Sequence, residues 1–180
     1  MDAVYALLRE KSVRDLTMEE VARRAGVGKP TLYKWWPTKA ALVMAMFHER
    51  IAGQPEAEGD ATGERAIRVR VLRLIGAFNG LFGKVMADLI AEGQSEPIIL
   101  RDLYERHVGR RRAAAIAEIE RGKAAGELRP DTDPELLIDA LFGAIYYRLL
   151  LRSAPLTEQY GERLVDQVFR GFRSGSGPAG

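Results

Sequence analysis

Cysteine is absent from the 180 residues, so disulfides, thiolate metal sites and cysteine nucleophiles are excluded. Histidine is scarce: His48 and His107 are the only two, and no spacing pairs either with carboxylates that would hold a metal. No glycine-rich phosphate loop follows a strand, and no nucleophile stands beside a base. No enzyme activity, metal or cofactor is therefore expected. No apolar run approaches the ~20 residues that a membrane helix needs. The opening MDAVYALLREKS is amphipathic and carries acids, unlike a signal peptide. A cytoplasmic protein without a membrane partner is the expectation. Strand-like alternation is missing throughout, so the fold class expected is all-α.

Charge and aromatic residues are present, and they are unevenly placed. Residues 1–50 carry nine Lys and Arg against six Asp and Glu, and the remainder carries eighteen against nineteen. The basic excess thus falls where the stretch GVGKPTLYKWWPTKAAL, residues 26–42, gathers Lys29, Lys34 and Lys39 around Thr31, Tyr33, Trp35 and Trp36. A basic patch interleaved with aromatics suits a polyanionic partner.

Taken in order, the chain reads as a series of capped helices. Ala3, Val4, Leu7 and Leu8 recur at helical spacing, giving a helix from about Asp2 to Lys11. Thr17 followed by Glu20 is a capping-box pattern. The helix it opens is expected to bury Val21, Ala22 and Ala25. Gly26 ends that helix, because a residue at this place must take a positive φ. Val27 is expected to fill the gap between two helices. Gly28 caps a third helix over about Lys29–Trp36, with Pro30 in its first turn, where a missing N–H costs nothing. Pro37 stops it, and Thr38 caps a fourth helix with Ala41, Leu42, Ala45 and Met46 as its buried stripe. This is a helix-turn-helix with Lys29–Trp36 as its reading helix.

Gly53–Gly63 is rich in Gly, Glu and Pro and has no large apolar residue, so it reads as a linker. The division expected is a DNA-binding domain over residues 1–52 and a helical bundle over 64–173. In the bundle, Ile67, Val71, Leu74, Ile75 and Phe78 form one stripe. Gly83 and Gly93 bound a short helix near Lys84–Glu92, and a long helix follows to about Ala125. Asp133 and Pro134 open a helix so apolar, through Leu151, that it must be buried on most sides. It is either a central core helix or part of a subunit interface. Thr157 caps the last helix, where Tyr160, Leu164, Val168 and Phe172 recur every four residues, with Val165 and Phe169 beside them.

Two segments resemble a known family. LTMEEVARRAGVGKPTLYKWWPTKAALV (16–43) and GELRPDTDPELLIDALFGAIYYRLL (126–150) are similar to the TetR (tetracycline-repressor) family of bacterial transcription regulators. The resemblance implies a homodimer through the last two helices, binding double-stranded DNA with its N-terminal helices and a small-molecule effector in its C-terminal bundle. It places Thr17 and Lys39 at phosphates, and Lys29, Thr31, Tyr33 and Trp35 at base edges or backbone. Leu32 and Trp36 match core positions. Gly28 stands where Ser is common, Trp35 where Tyr or His is common, and Trp36 where Phe is usual.

The chemistry of these residues fits those places. Lys39 lies just inside a helix N-terminus, whose dipole also favours a phosphate. Tyr33 offers a hydroxyl to a phosphate or a ring to a thymine methyl, or else packs on the first helix. Thr31 and Lys29 carry groups that read base edges. Trp35 either stacks on the sugar-phosphate or shields Trp36. Effector-binding candidates are the polar residues in apolar surroundings: Asn79, Tyr146, Tyr147, and His107 with its arginine neighbours. The reading expected is a sequence-specific, effector-released repressor on a palindromic operator. The alternative is an architectural DNA-binding protein with a filled C-terminal core and no effector.

Overall fold

Hydroxyl and carboxylate side chains begin several helices at the places the sequence marks. The computed structural model describes residues 1–51 and 63–173. Among them are ten α-helices and no strand: α1 Asp2–Glu10, α2 Met18–Ala25, α3 Lys29–Trp35, α4 Lys39–Ile51, α5 Gly63–Phe78, α6 Leu81–Gly93, α7 Pro97–Leu103, α8 Gly109–Ala124, α9 Pro134–Leu151 and α10 Glu158–Arg170. A π-helical segment, Tyr104–Val108, lies between α7 and α8. The Thr17 hydroxyl accepts from the Glu20 amide, Thr38 from Ala41, Asp133 from Glu135 and Leu136, and Thr157 from Tyr160. Each satisfies a backbone donor that the helix start leaves without a partner. Gly26 adopts φ 67°, ψ 28°, the left-handed corner between α2 and α3.

The helices form two compact units. One contains α1–α4 with α6, α7 and the π-helical segment; the other contains α5, nearly all of α8, α9 and α10. Compactness therefore groups Gly80–Gly109 with the N-terminal helices, whereas the expected division at 1–52 and 64–173 follows the order of the chain. The expected linker lies mostly outside the described residues, as does the tail from 174.

In the first unit, Val4, Leu7 and Leu8 of α1 are buried with Val21, Leu32, Leu42 and Met46. Phe47 of α4 meets Phe82 of α6 edge to face, with ring centroids 5.1 Å apart. In the second unit, Ile67, Val71 and Ile75 of α5 are buried, as are Ile119, Leu137, Leu141, Ile145, Val165 and Phe169. Polar ties span the same helices. Arg70 makes a two-pronged contact with Glu118, both bonds 2.6 Å, and Glu118 is buried. Arg68 reaches Glu64 at 2.6 Å, Asp166 at 2.6 Å and Glu162, binding α5 to α10. Hydrogen bonds first from Arg173 and then from Arg68 hold the Glu64 carboxyl below the ordinary carboxylate range.

Several expectations differ from the structure. Val27 does not fill a gap: it is 41% exposed, because the Gly26 corner turns it outward. Met18, not Ala25, joins Val21 and Ala22 in the buried face of α2. Only half of the capping box forms, because Glu20 pairs with Lys11 at 2.7 Å. Trp36 is half-buried, as is Ala45. Gly83 sits inside α6; the chain breaks earlier, at Asn79 and Gly80. The π-helical segment interrupts the long helix expected to reach Ala125. In α10 the most buried residues are Gly161, Val165 and Phe169, so the expected neighbours Val165 and Phe169 lie deeper than the Tyr160, Leu164, Val168 and Phe172 repeat. Gly161 permits this packing, since a Cβ there would stand 2.7 Å from Ile75 Cδ1.

The unequal burial along α10 yields a stability test. Phe169→Ala should cost about 3–5 kcal/mol, whereas Phe172→Ala, at a half-buried site, should cost distinctly less. Urea midpoints of the two variants show which of the two phenylalanines is the more deeply packed.

Candidate nucleic-acid interface

The surface is built from one short helix and its two flanks. Gly26 reverses the chain after α2, and its amide donates to Arg23 O at 3.3 Å while that of Val27 donates to Ala22 O at 3.0 Å. Gly28, extended at φ −68°, ψ 140°, starts α3 without a side-chain cap. A proline in the first turn fixes the entry. Leu32 is the buried anchor of α3. With Leu32 inward, the helical period turns Thr31, Tyr33 and Trp35 out; Tyr33 is 43% and Trp35 67% exposed. The other end of α3 is closed by the Trp36 amide, which donates to Leu32 O at 2.8 Å.

Five of the six residues expected to meet DNA are therefore exposed: Thr17, Lys29, Thr31, Tyr33 and Trp35. Lys29 and Tyr33 sit one turn apart, with the ammonium 5.7 Å from the ring centroid. Lys34, absent from the expected set, lies 6.0 Å from the Trp35 ring centroid and adds positive charge to that side. The Thr17 hydroxyl caps α2 with one lone pair, and a hydroxyl has a second acceptor site and its own proton. Lys29 also forms a salt bridge with Glu19 of α2. The hydrogen bond from Lys29 lowers the Glu19 carboxyl below its ordinary range and raises the lysine above its own, so both stay ionised near neutrality. Both are half exposed, so salt screens this pair.

Lys39 differs. Its side chain is 21% exposed, lies 2.6 Å from Glu92 Oε1 of α6, and donates to Arg14 O at 3.2 Å. Neither Glu92 nor Arg14 was signalled by the sequence. No periodicity or motif ties the last turn of α6 to the first turn of α4. Beside it, the Thr38 hydroxyl lies 3.5 Å from Asp102 Oδ2. The N-terminus of α4 thus has two carboxylates near it from within the chain, where a helix dipole favours negative charge.

The effector candidates are distributed between the units. Asn79 donates from Nδ2 to Leu156 O at 2.8 Å, fastening the end of α5 to the connection after α9. Tyr146 packs edge-on against Phe78, with centroids 5.3 Å apart, and burial pushes its hydroxyl above the ordinary tyrosine range. That contact brings Tyr146 to the end of α5 that carries Asn79. Tyr147, the next residue, is 59% exposed, on a side of α9 shared with Leu136, Leu150 and Leu151. His107 lies in the π-helical segment, in the other unit. Among the described residues no group of three or more His, Asp and Glu side chains could hold a metal ion.

Comparisons with known proteins cover both units. Residues 1–46 match the family model described as bacterial regulatory proteins, tetR family, and residues 64–168 match the tetracyclin repressor-like C-terminal domain. The chain is 32% identical to the uncharacterised HTH-type transcriptional regulator YdeS of Bacillus subtilis, over 98% of this chain and 89% of that one. It is 27% identical to the DNA-binding transcriptional repressor TetR of Mycobacteroides abscessus, over 92% and 87%. Among solved structures, the TetR family transcription regulator SCO0332 superposes with a TM-score of 0.72 at 30% identity, over 94% of this chain and 93% of that one.

The exposure pattern of α3 is testable without DNA. Leu32→Ala should destabilise the chain by about 2–5 kcal/mol, while Trp35→Ala should stay within about 0.5 kcal/mol. Chemical denaturation of the two variants reads the difference.

Proposed function

The chain belongs to the tetR family of bacterial regulatory proteins, and from that membership we propose that it is a homodimeric, effector-released repressor of transcription that reads a palindromic operator. The observation that carries the proposal is the outward side of α3, where Thr31, Tyr33 and Trp35 stand exposed around a single buried anchor, Leu32. A helix of this kind enters a major groove, with side chains at base edges giving sequence preference and flanking groups on phosphates giving register. Lys29 and Thr31 take the base-reading role, and Tyr33 and Trp35 the backbone or thymine-methyl contacts. Thr17 and Lys39 take phosphates. In domain terms, residues 1–52 read DNA, and 64–173 bind the effector and dimerise. Neither role requires enzyme chemistry.

The exposed apolar residues of α9 support the dimer. Leu136, Tyr147, Leu150 and Leu151 are all more than two-fifths exposed, and Ala140 and Gly143 fall between them on the same helical side. Large apolar residues grouped on one side of a helix suit burial by a symmetric copy. Two copies of α3 would then meet successive major grooves about 34–36 Å apart, or at multiples of that spacing. For the effector, Asn79 and Tyr146 are the pocket candidates supported by their half-polar, half-apolar surroundings at the end of α5. His107 and Tyr147 are the peripheral ones. The DNA-binding repressor of Mycobacteroides abscessus, at 27% identity, supports repression as the direction of control.

Selection of bound duplexes from a random pool should return a palindromic consensus; recovery of no preferred sequence would defeat the proposal. Lys29 or Thr31 substitutions should change which bases are preferred, with discrimination at the affected position falling by about 1–3 kcal/mol. Leu136→Asp with Leu151→Asp should yield a monomer in sedimentation equilibrium and weaken operator binding; a persistent dimer would place the interface elsewhere.

A further inference from the structure

Helix α6 presents one polar side to the N-terminal helices over three successive turns. Lys84 Nζ donates to Lys11 O at 3.2 Å, Asp88 Oδ2 accepts from the Val13 amide at 3.1 Å, and Glu92 Oε1 lies 2.6 Å from Lys39 Nζ. The first two contacts go to backbone in the connection between α1 and α2. The third goes to the side chain proposed above to hold a DNA phosphate.

We infer that Glu92 is an intramolecular competitor for the DNA phosphate at Lys39, and so a residue that sets how strongly the chain binds any DNA. The inference rests on the reading of Lys39 as a backbone contact. Carboxylate and phosphate oxygens recruit the same ammonium donors. Of the three donors on Lys39, one faces Glu92 and one faces Arg14 O. A phosphate must either displace Glu92 or share the lysine with it. Displacement leaves a carboxylate that is only 15% exposed without its cation, which is costly. That cost is sharpened because Glu92 Oε2 is already buried with no hydrogen-bond partner among the described residues. Sharing leaves a neutral pair, which releases no counterion from the phosphate. Both routes reduce the contribution of Lys39 to binding.

The contrast with Lys29 supports this. Lys29 is also paired with an acid, Glu19, but their side chains are 47% and 59% exposed, so water and salt compete for that contact. The Lys39–Glu92 pair is shielded from both. Glu92 also sits one residue from the end of α6, whose earlier turns are already fixed to Val13 and Lys11. The carboxylate is held at Lys39 by the same helix side that is fixed to the connection between α1 and α2.

The test is operator affinity as a function of salt for the full chain, using the duplex recovered by selection. Glu92→Gln should bind roughly tenfold more tightly, the scale of one charged hydrogen bond, and steepen the slope of log K against log salt by about one unit. Lys39→Ala should abolish that gain, so that the double variant matches Lys39→Ala alone. Glu92→Met, similar in volume and uncharged, repeats the measurement if the amide variant fails to fold. A Glu92 variant that folds with unchanged or weaker affinity and an unchanged slope overturns the competitor role while leaving the regulator reading intact. A wild-type chain with no sequence-preferring DNA binding overturns both.

Discussion

The left-handed backbone at Gly26 decides which side of α3 faces the core. With φ at 67°, the residue ends α2 and turns the chain within two residues, and α3 begins as soon as Lys29. Leu32 is then buried, and the helical period directs Thr31, Tyr33 and Trp35 to solvent. A side chain with a Cβ rarely adopts this conformation, although no atom lies within 4 Å of where that Cβ would stand. The constraint at Gly26 is thus one of backbone energy rather than of space. Every functional assignment on α3 inherits its geometry from that residue.

The helix ends were legible in the sequence because their causes are local. Thr17, Thr38, Asp133 and Thr157 each satisfy amides two or three residues ahead, and such contacts need no knowledge of the rest of the chain. Exposure of Thr31, Tyr33 and Trp35 was legible for a similar reason, since one buried leucine and the helical period fix the remainder of α3. What escaped depended on distant partners. Glu20 completes no capping box because Lys11 offers a full charge. Which part of the apolar side of α10 lies deepest depended on α5, which Gly161 lets approach closely, with Leu72 and Ile75 against it. The π-helical segment had no signal in Tyr104–Val108, whose residues fit an α-helix equally well. Lys39 was legible as a cation at a helix start, but its partnership with Glu92 was not.

Charge pairing is distributed differently in the two units. In the second, arginines serve packing: Arg70 neutralises the buried Glu118, and Arg68 bridges α5 to three acids in α5 and α10. A pair with a buried acid such as Arg70–Glu118 adds little net stability over apolar substitutes, yet it penalises the loss of either partner. In the first unit, three lysines pair with acids on neighbouring elements. Lys11, Lys29 and Lys39 each contact a glutamate. The Lys29–Glu19 pair is open to water and salt, whereas the Lys39–Glu92 pair is largely enclosed, so the two cations differ in how freely they exchange partners.

The exposed side of α9 also bears on how the protein responds to its own abundance. Where an operator accepts only the paired form, its occupancy depends on a prior association between two chains. Well below the concentration at which half the chains are paired, doubling the cellular copy number nearly quadruples the amount of binding-competent protein. Small changes in synthesis or dilution at division then produce disproportionate changes in promoter output. If the chains pair through the exposed side of α9 as proposed, the strength of that contact sets the copy number at which this steep response gives way to a proportional one.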